Sequence, residues 1–571
     1  MDHKIQSLVF TIILFTFGCN AQTESPKAEL IHEFDRGSGI GLIDPTPQTI
    51  DKLGLLCKVW GFLKYYHPEI SAGNYNWDYE LFRIMPQVLN SSHNEELNSA
   101  LLKWVDNLGN VEISNYKAID SSTIKIKPDY KWIKEGKVGE KLSERLKRIQ
   151  QAKRSNEHYY VAFGEFPPPI FQNENAYSDM KYPDTGFRLL ALFRYWNIIQ
   201  YYYPYKYLID DNWHDVLEEF IPVFIEASNE LEYHLAVLAL ITKISDTHAT
   251  FTSKVLEEDF KGKYVAPVEI TFVENKPVVT GFLNRTEQYI KLQIGDIIEE
   301  LNETKISILI NEKSPYIPAS NDAAKLREMA WDLLRSNDSI MTIGFIRNQN
   351  LEKVKIKGIP RDKVNPFQRM EYQDSCFKLI TSEIAYLNPW TLRTKHIPTI
   401  IKYIESTKGI IIDLRYPFFE PPYPLLNHLL PKQMTFAKLT KGNLECPGLF
   451  TFFKEIEIGE INDQPYKGKV MILNNEFTQS SAEFTTMAFR LIPNSIVVGS
   501  TTAGANGAIS RFSLPGGIHT LISGSGVYYP NGMETQRIGI IPDVTINPTI
   551  NDIKEGRDVL IEKAVEIINI E

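Results

Sequence analysis

Cysteine is scarce in this chain, four in 571 residues, and no two stand at CxxC spacing. That excludes a disulfide framework or a thiolate zinc site as an organising feature. Cys57, Cys376 and Cys446 are far apart and read as buried thiols. Long apolar runs are also missing. Beyond the N-terminus no segment reaches about 18 uninterrupted apolar residues, the length a membrane span requires. Concentrated positive charge is absent too: 61 Lys and Arg against 71 Asp and Glu give a net charge of −10. Without a basic run, nucleic acid is excluded as the main partner. No motif calls for a metal or an organic cofactor.

What remains is a globular composition, 43% hydrophobic and 23% charged. The length is too great for one core and predicts three or four domains. The N-terminus reads as a targeting segment over residues 1–19. Lys4 precedes the apolar run Leu8 to Phe17, which ends in Thr16-Phe17-Gly18-Cys19-Asn20. Gly18 before Cys19 resembles a bacterial lipobox, with Cys19 as the lipidated residue and the only membrane attachment. This predicts an exported cell-envelope lipoprotein in the periplasm or outer membrane. Thr16 is not the usual aliphatic residue there, so the alternative is cleavage near Ala21 and a secreted soluble protein. Residues 20–45 read as a tether.

Two helical units follow, related by an offset of 136 residues: 46–115 and 181–256, joined by a linker at 116–180. Trp60 matches Trp196, Pro68 matches Pro204, and Trp77 matches Trp213. Leu53, Leu56, Trp60 and Leu63 fall at helical spacing, so the aromatics read as core and inter-unit packing. The units part company at their ends. The second closes in Ser245-Asp246-Thr247-His248, where the first has Gly109-Asn110-Val111-Glu112. A histidine needed only for packing would be expected in both. The asymmetry marks His248 as a site residue.

From 257 to 362 the pattern turns to short strands with a leucine-rich helix near Ala323 to Leu334. Residues 363–571 alternate strand and helix, which predicts an α/β core. Within it, the strand Lys469 to Leu473 leads through Asn474–Gln479 into Ser480-Ser481-Ala482-Glu483 and a helical pattern. Ser-x-x-Glu before an apolar run is a capping box. A serine at a strand-to-helix turn is also held rigidly, with the next N–H, that of Ser481, aimed where an oxyanion would form. The two roles are compatible.

The order of parts resembles the C-terminal processing (tail-specific) serine protease family. Those parts are the helical unit, Asp246-x-His248, Leu292-x-x-Gly295-Asp296-Ile297-Ile298, Asp413-Leu414-Arg415, Ser480-x-x-Glu483, Gly499–Gly504 and Gly539-Ile540-Ile541-Pro542-Asp543. The Leu292–Ile298 stretch resembles a PDZ domain, which implies a PDZ-like domain at 257–362, binding peptides by strand addition. The resemblance implies a multidomain α/β protein with a crotonase-like serine peptidase core at 363–571. Its substrate would be a peptide or protein. Where the processing branch carries a lysine base, this chain has Ala505, which accepts no proton. The match is to the histidine branch, similar to the tricorn protease core and interphotoreceptor retinoid-binding protein. His248 would then be the base for Ser480, oriented by Glu534 or Gln536 with Thr247 assisting. Asp413 and Arg415 read as a buried structural pair. The turn after Arg415 departs from the family: it lacks glycine, and Pro417, Pro421 and Pro422 cannot donate. Phe418 or Phe419 is left to supply a second oxyanion donor, with Phe419 the candidate. One lost donor costs roughly 10²–10³ in rate. The alternative is therefore a catalytically inactive peptide- or ligand-binding protein on the same fold.

Overall fold

The computed structural model describes residues 26–114, 119–134, 137–285, 290–365 and 375–570. Cys19 and the proposed targeting segment lie outside them. Among the described residues, no helix is long and apolar enough to cross a membrane.

The first helical unit contains α1 (Pro47–Tyr66), α2 (Trp77–Asn90) and α3 (Asn94–Asp106). The second contains α4 (Thr185–Tyr202), α5 (Trp213–Glu226) and α6 (Glu230–Thr242). The same local rules build both. Asn76 and Asn212 cap the second helix of each unit, accepting backbone N–H groups at its start. His93 and Asn229 cap the third in the same way. Pro86 and Pro222 sit inside the equivalent helices. Most telling is a reciprocal indole clasp. Trp60 Nε1 donates to the Trp77 carbonyl and Trp77 Nε1 to the Trp60 carbonyl, each at 2.9 Å. Trp196 and Trp213 repeat it at 2.6 and 3.0 Å. A buried indole N–H needs an acceptor, and here each tryptophan's main-chain carbonyl serves its partner.

The stretch between the units is more than a connector. Its strand Ile124–Ile126 pairs antiparallel with Phe450–Ile458 of the C-terminal region. Its helix Glu140–Gln150 turns Leu142, Leu146 and Ile149 into the helical core and leaves its basic face outward.

The middle region is an antiparallel sheet in the order Asn350–Lys357, Ile340–Arg347, Ile297–Leu301, Lys276–Phe282, Val268–Val273. Helix α7 (Asp322–Leu333) packs on it, burying Met329 and Leu333. The C-terminal region is a six-stranded sheet in chain order: β1 (Phe377–Thr381), β2 (Ile384–Leu387), β3 (Gly409–Asp413), β4 (Lys469–Asn474), β5 (Ser495–Gly499) and β6 (Val544–Thr545). All pairs from β2 onward are parallel. Helices α8 (Ser481–Phe489) and α9 (Val559–Asn569) pack on this sheet. β3 is buried along its whole length, which explains its unbroken Ile410-Ile411-Ile412 run.

One excursion decides the site. The hairpin Ile509–Leu514 and Ile518–Ser523 leaves the sheet and buries Phe512, Leu514, Ile518 and Ile522 in the helical core. That brings the end of its second strand against the loop that carries His248.

Candidate active site

β4 ends at Asn474, and a tight loop delivers Ser480 to the N-cap of α8. Thr478 pins this loop, its hydroxyl donating to the Leu414 carbonyl at 2.9 Å. Ser480 itself has φ 56° and ψ −115°. An L-residue rarely adopts such a backbone, and an over-determined turn must hold it there. Two bonds do so: its N–H donates to the Ala505 carbonyl at 2.9 Å and to Glu483 Oε2 at 3.2 Å. The second is the Glu half of the capping box expected from the sequence.

Glu483 is fully buried and reaches further than a cap. It accepts from the Thr502 hydroxyl and from the Gly504 and Ala505 N–H groups at 2.9 and 3.1 Å. Burial pushes its carboxyl up to about 7, although those donors pull it back. The carboxyl thereby ties the Ser480 turn to the 502–505 loop. Ala505 serves through its backbone, and its buried methyl offers nothing to take a proton.

His248 follows the turn after α6, and Ser245 takes φ 49° to make that turn. The histidine is 8% exposed, and Asp246 is wholly buried. Nδ1 of His248 lies 2.9 Å from Ser523 Oγ, and Ser523 Oγ donates to Asp246 Oδ1 at 2.9 Å. Asp246 also accepts from the His248 N–H at 3.0 Å, the Ser523 N–H at 2.7 Å and Gln536 Nε2 at 3.2 Å. The direct gap from Nδ1 to Asp246 Oδ1 is 3.9 Å, so the serine bridges it. A hydroxyl has one proton, and Ser523 gives it to the carboxylate. Its oxygen must then accept from Nδ1–H, which leaves the lone pair of the neutral ring on Nε2. Burial depresses the His248 pKa; Asp246 opposes that and Arg327 adds to it.

The 503–505 loop joins the two halves. The Ala503 carbonyl accepts from the Thr247 hydroxyl at 3.2 Å, and two residues on the Ala505 carbonyl accepts from the Ser480 N–H. The strained turn that presents Ser480 and the residue before His248 are thus both bonded to this one loop.

Residues 434–546 match the model of peptidase family S41. Over these residues the chain is similar to peptidase family S41. Mature CPAF in complex with lactacystin superposes with a TM-score of 0.52 at 14% identity, covering 67% of this chain and 98% of that one. At that identity the likeness concerns the fold. A putative peptidase from Parabacteroides merdae gives 0.42 at 15% identity, covering 68% and 97%. The tricorn protease gives 0.34 at 12%, covering 67% and 36%. No curated protein sequence matches the chain.

The other expected site residues divide. Ser481 opens α8, and its N–H has no partner among the described residues. It is free to meet an anion at a helix N-terminus. Gln536 is on Asp246, as above. Glu534, expected to orient the histidine, is elsewhere: its Oε1 accepts from Lys125 Nζ at 2.7 Å and Tyr207 Oη at 3.0 Å. Neighbouring Tyr528 forms a β-bridge with Glu534, and the chain sends residue 536, two positions on, towards the interior. Thr247 does not brace the ring; it exchanges bonds with Ser320, hydroxyl accepting at 2.8 Å and N–H donating at 2.9 Å. The Phe419 side chain is 55% exposed and packs on Trp390 and the Arg393 guanidinium. Asp413 and Arg415 form a clasp with Asp558 and Tyr386. Sequence reasoning missed Ser523. It is one serine in a β-hairpin, 275 positions from its partner, and no motif marks it.

Proposed function

We propose that this protein is an exported serine peptidase of the histidine type, with Ser480 as nucleophile and His248 as general base. The observation that carries the reading is the His248–Ser523–Asp246 chain, which leaves Nε2 as the acceptor. Ser480 Oγ attacks a peptide carbonyl, and its proton passes to Nε2. The developing imidazolium is stabilised through Ser523 by the buried Asp246 carboxylate, with Gln536 holding that carboxylate in place. The tetrahedral oxyanion meets the Ser481 N–H, with a backbone N–H near Phe419 as second donor. The imidazolium then protonates the leaving amine, and water repeats the sequence on the acyl-enzyme. No cofactor enters these steps.

We read the middle sheet as PDZ-like, presenting the substrate as an extended strand. We read residues 46–115 and 181–256 as duplicated helical units, and Cys19 as the lipid anchor. Incubation with a peptide library, read by mass spectrometry, tests the activity. Cleavage by the wild type that disappears in Ser480→Ala supports it. Peptide binding without turnover by the wild type would instead point to the inactive binder that the proline-rich 416–422 turn suggests.

A further inference from the structure

Arg327 belongs to α7 in the middle sheet region, yet its guanidinium is spent on the C-terminal region. Nη1 donates to the Glu476 carbonyl and Nη2 to Gln479 Oε1, both at 2.7 Å, 149 and 152 positions away in sequence. Both acceptors lie in the loop that delivers Ser480. The group also stands 6.0 Å over the Phe477 ring of that loop. Its side chain is 8% exposed. Its one carboxylate partner among the described residues is the adjacent Glu328, which is 42% exposed. A guanidinium keeps its charge on burial, so a positive charge with no interior counter-ion of its own sits at the nucleophile loop.

The residues just before it grip the other sides of the same site. Ser320 exchanges bonds with Thr247, next to His248. Asn321 Nδ2 donates to the Thr502 carbonyl at 2.8 Å and the Arg537 carbonyl at 3.3 Å. Gly504 has φ +66°, and a Cβ there would stand 2.9 Å from both the Arg537 carbonyl and Asn321 Nδ2. Residues 320–327 therefore touch the base loop, the nucleophile loop and the wall between them.

We propose that Arg327 is a positioning residue of this site, bracing the turn that presents Ser480 and keeping a positive charge beside His248. This rests on the assignment of Ser480 and His248 above. The charged side chains acting on His248 are Asp246 from its own loop, which favours the imidazolium, and Arg327 from α7, which opposes it. Arg327 thus helps keep the base neutral near neutral pH, beside a loop it also holds in register.

The test is the rate of fluorophosphonate labelling against pH for the wild type, Arg327→Met and Arg327→Lys. Loss of a charged fork with two loop bonds predicts a plateau rate about tenfold lower or less in Arg327→Met. Its acid limb moves to higher pH, because the charge opposing the imidazolium is gone. Arg327→Lys keeps the charge but not the fork, so its plateau falls while its limb stays with the wild type. A wild-type plateau in Arg327→Met overturns the proposal. So does a lowered plateau with an unmoved limb, which a merely structural arginine would give. Should Arg327→Met not fold, an undiminished plateau in Arg327→Lys overturns it. A wild type that is never labelled fails the assignment of Ser480 and His248 instead, and the proposal falls with it.

Discussion

After its third helix, the first helical unit runs into Leu108–Glu112, where Asn110 and Glu112 face solvent and Glu112 pairs with Lys153 at 3.3 Å. The second unit, at the equivalent place, runs into Ile244–Thr250. There Asp246 is sealed from solvent and His248 is bonded to a serine of the C-terminal hairpin. Helix order, caps, internal prolines and indole clasps repeat between the units; the loop does not. A frame fixed by repeated caps and clasps leaves its terminal loop free to vary, and in the proposed reading the chemistry resides where that loop meets another region.

The largest effect should separate the two loops. Asp246→Asn removes the charge at the end of the Ser523 bridge and should lower peptidase turnover by about 10²–10⁴. Asn110→Ala, at the matching position, should leave turnover unchanged. Equal losses would break the comparison.

A second contrast concerns pH. His67 of the first unit is replaced by Tyr203 in the second. Burial lowers the His67 pKa to about 4, and neither ring nitrogen has a hydrogen-bond partner among the described residues. Folded His67 stays neutral while the unfolded chain takes up a proton below about 6.5. Its contribution is therefore complete above pH 6.5 and lost as pH falls to about 4, roughly 3 kcal/mol in all. His158 and His234, also lowered, act in the same sense. His67→Tyr should reduce the stability difference between pH 7 and pH 4.5, followed by urea unfolding at each pH. An unchanged difference would show that His67 finds room for its proton in the folded state.

Smaller effects sharpen the likeness of the frames. Trp60→Phe and Trp196→Phe each remove one donor of a reciprocal clasp and should each cost about 1–3 kcal/mol. Similar shifts in thermal midpoint would support one frame used twice. Smallest of all is Glu534→Gln. Glu534 pins Lys125, which follows the first unit, to Tyr207 of the second. Peptidase turnover should stay at the wild-type level, and a large loss would return Glu534 to the histidine.

Local signals carried much of this into the sequence. Tryptophans and prolines at one offset pointed to paired helical units, and a strand leading into Ser480-x-x-Glu483 exposed the turn. The asymmetric loop singled out His248. Long-range packing carried the rest. Ser523 reaches His248 only because Phe512, Leu514, Ile518 and Ile522 draw a core hairpin into the helical units. Gln536 and Glu534 are two residues apart in an irregular segment, and no periodicity says which one turns inward. Arg327 is an unremarked basic residue on an amphipathic helix until that helix docks.

The central claim is that Ser480 is activated by His248. Mass spectrometry of the Ser480 peptide after fluorophosphonate treatment tests it most directly. The account predicts an adduct on Ser480 in the wild type and its near-absence in His248→Ala. An unmodified Ser480 in the wild type, or equal modification in both proteins, would contradict it.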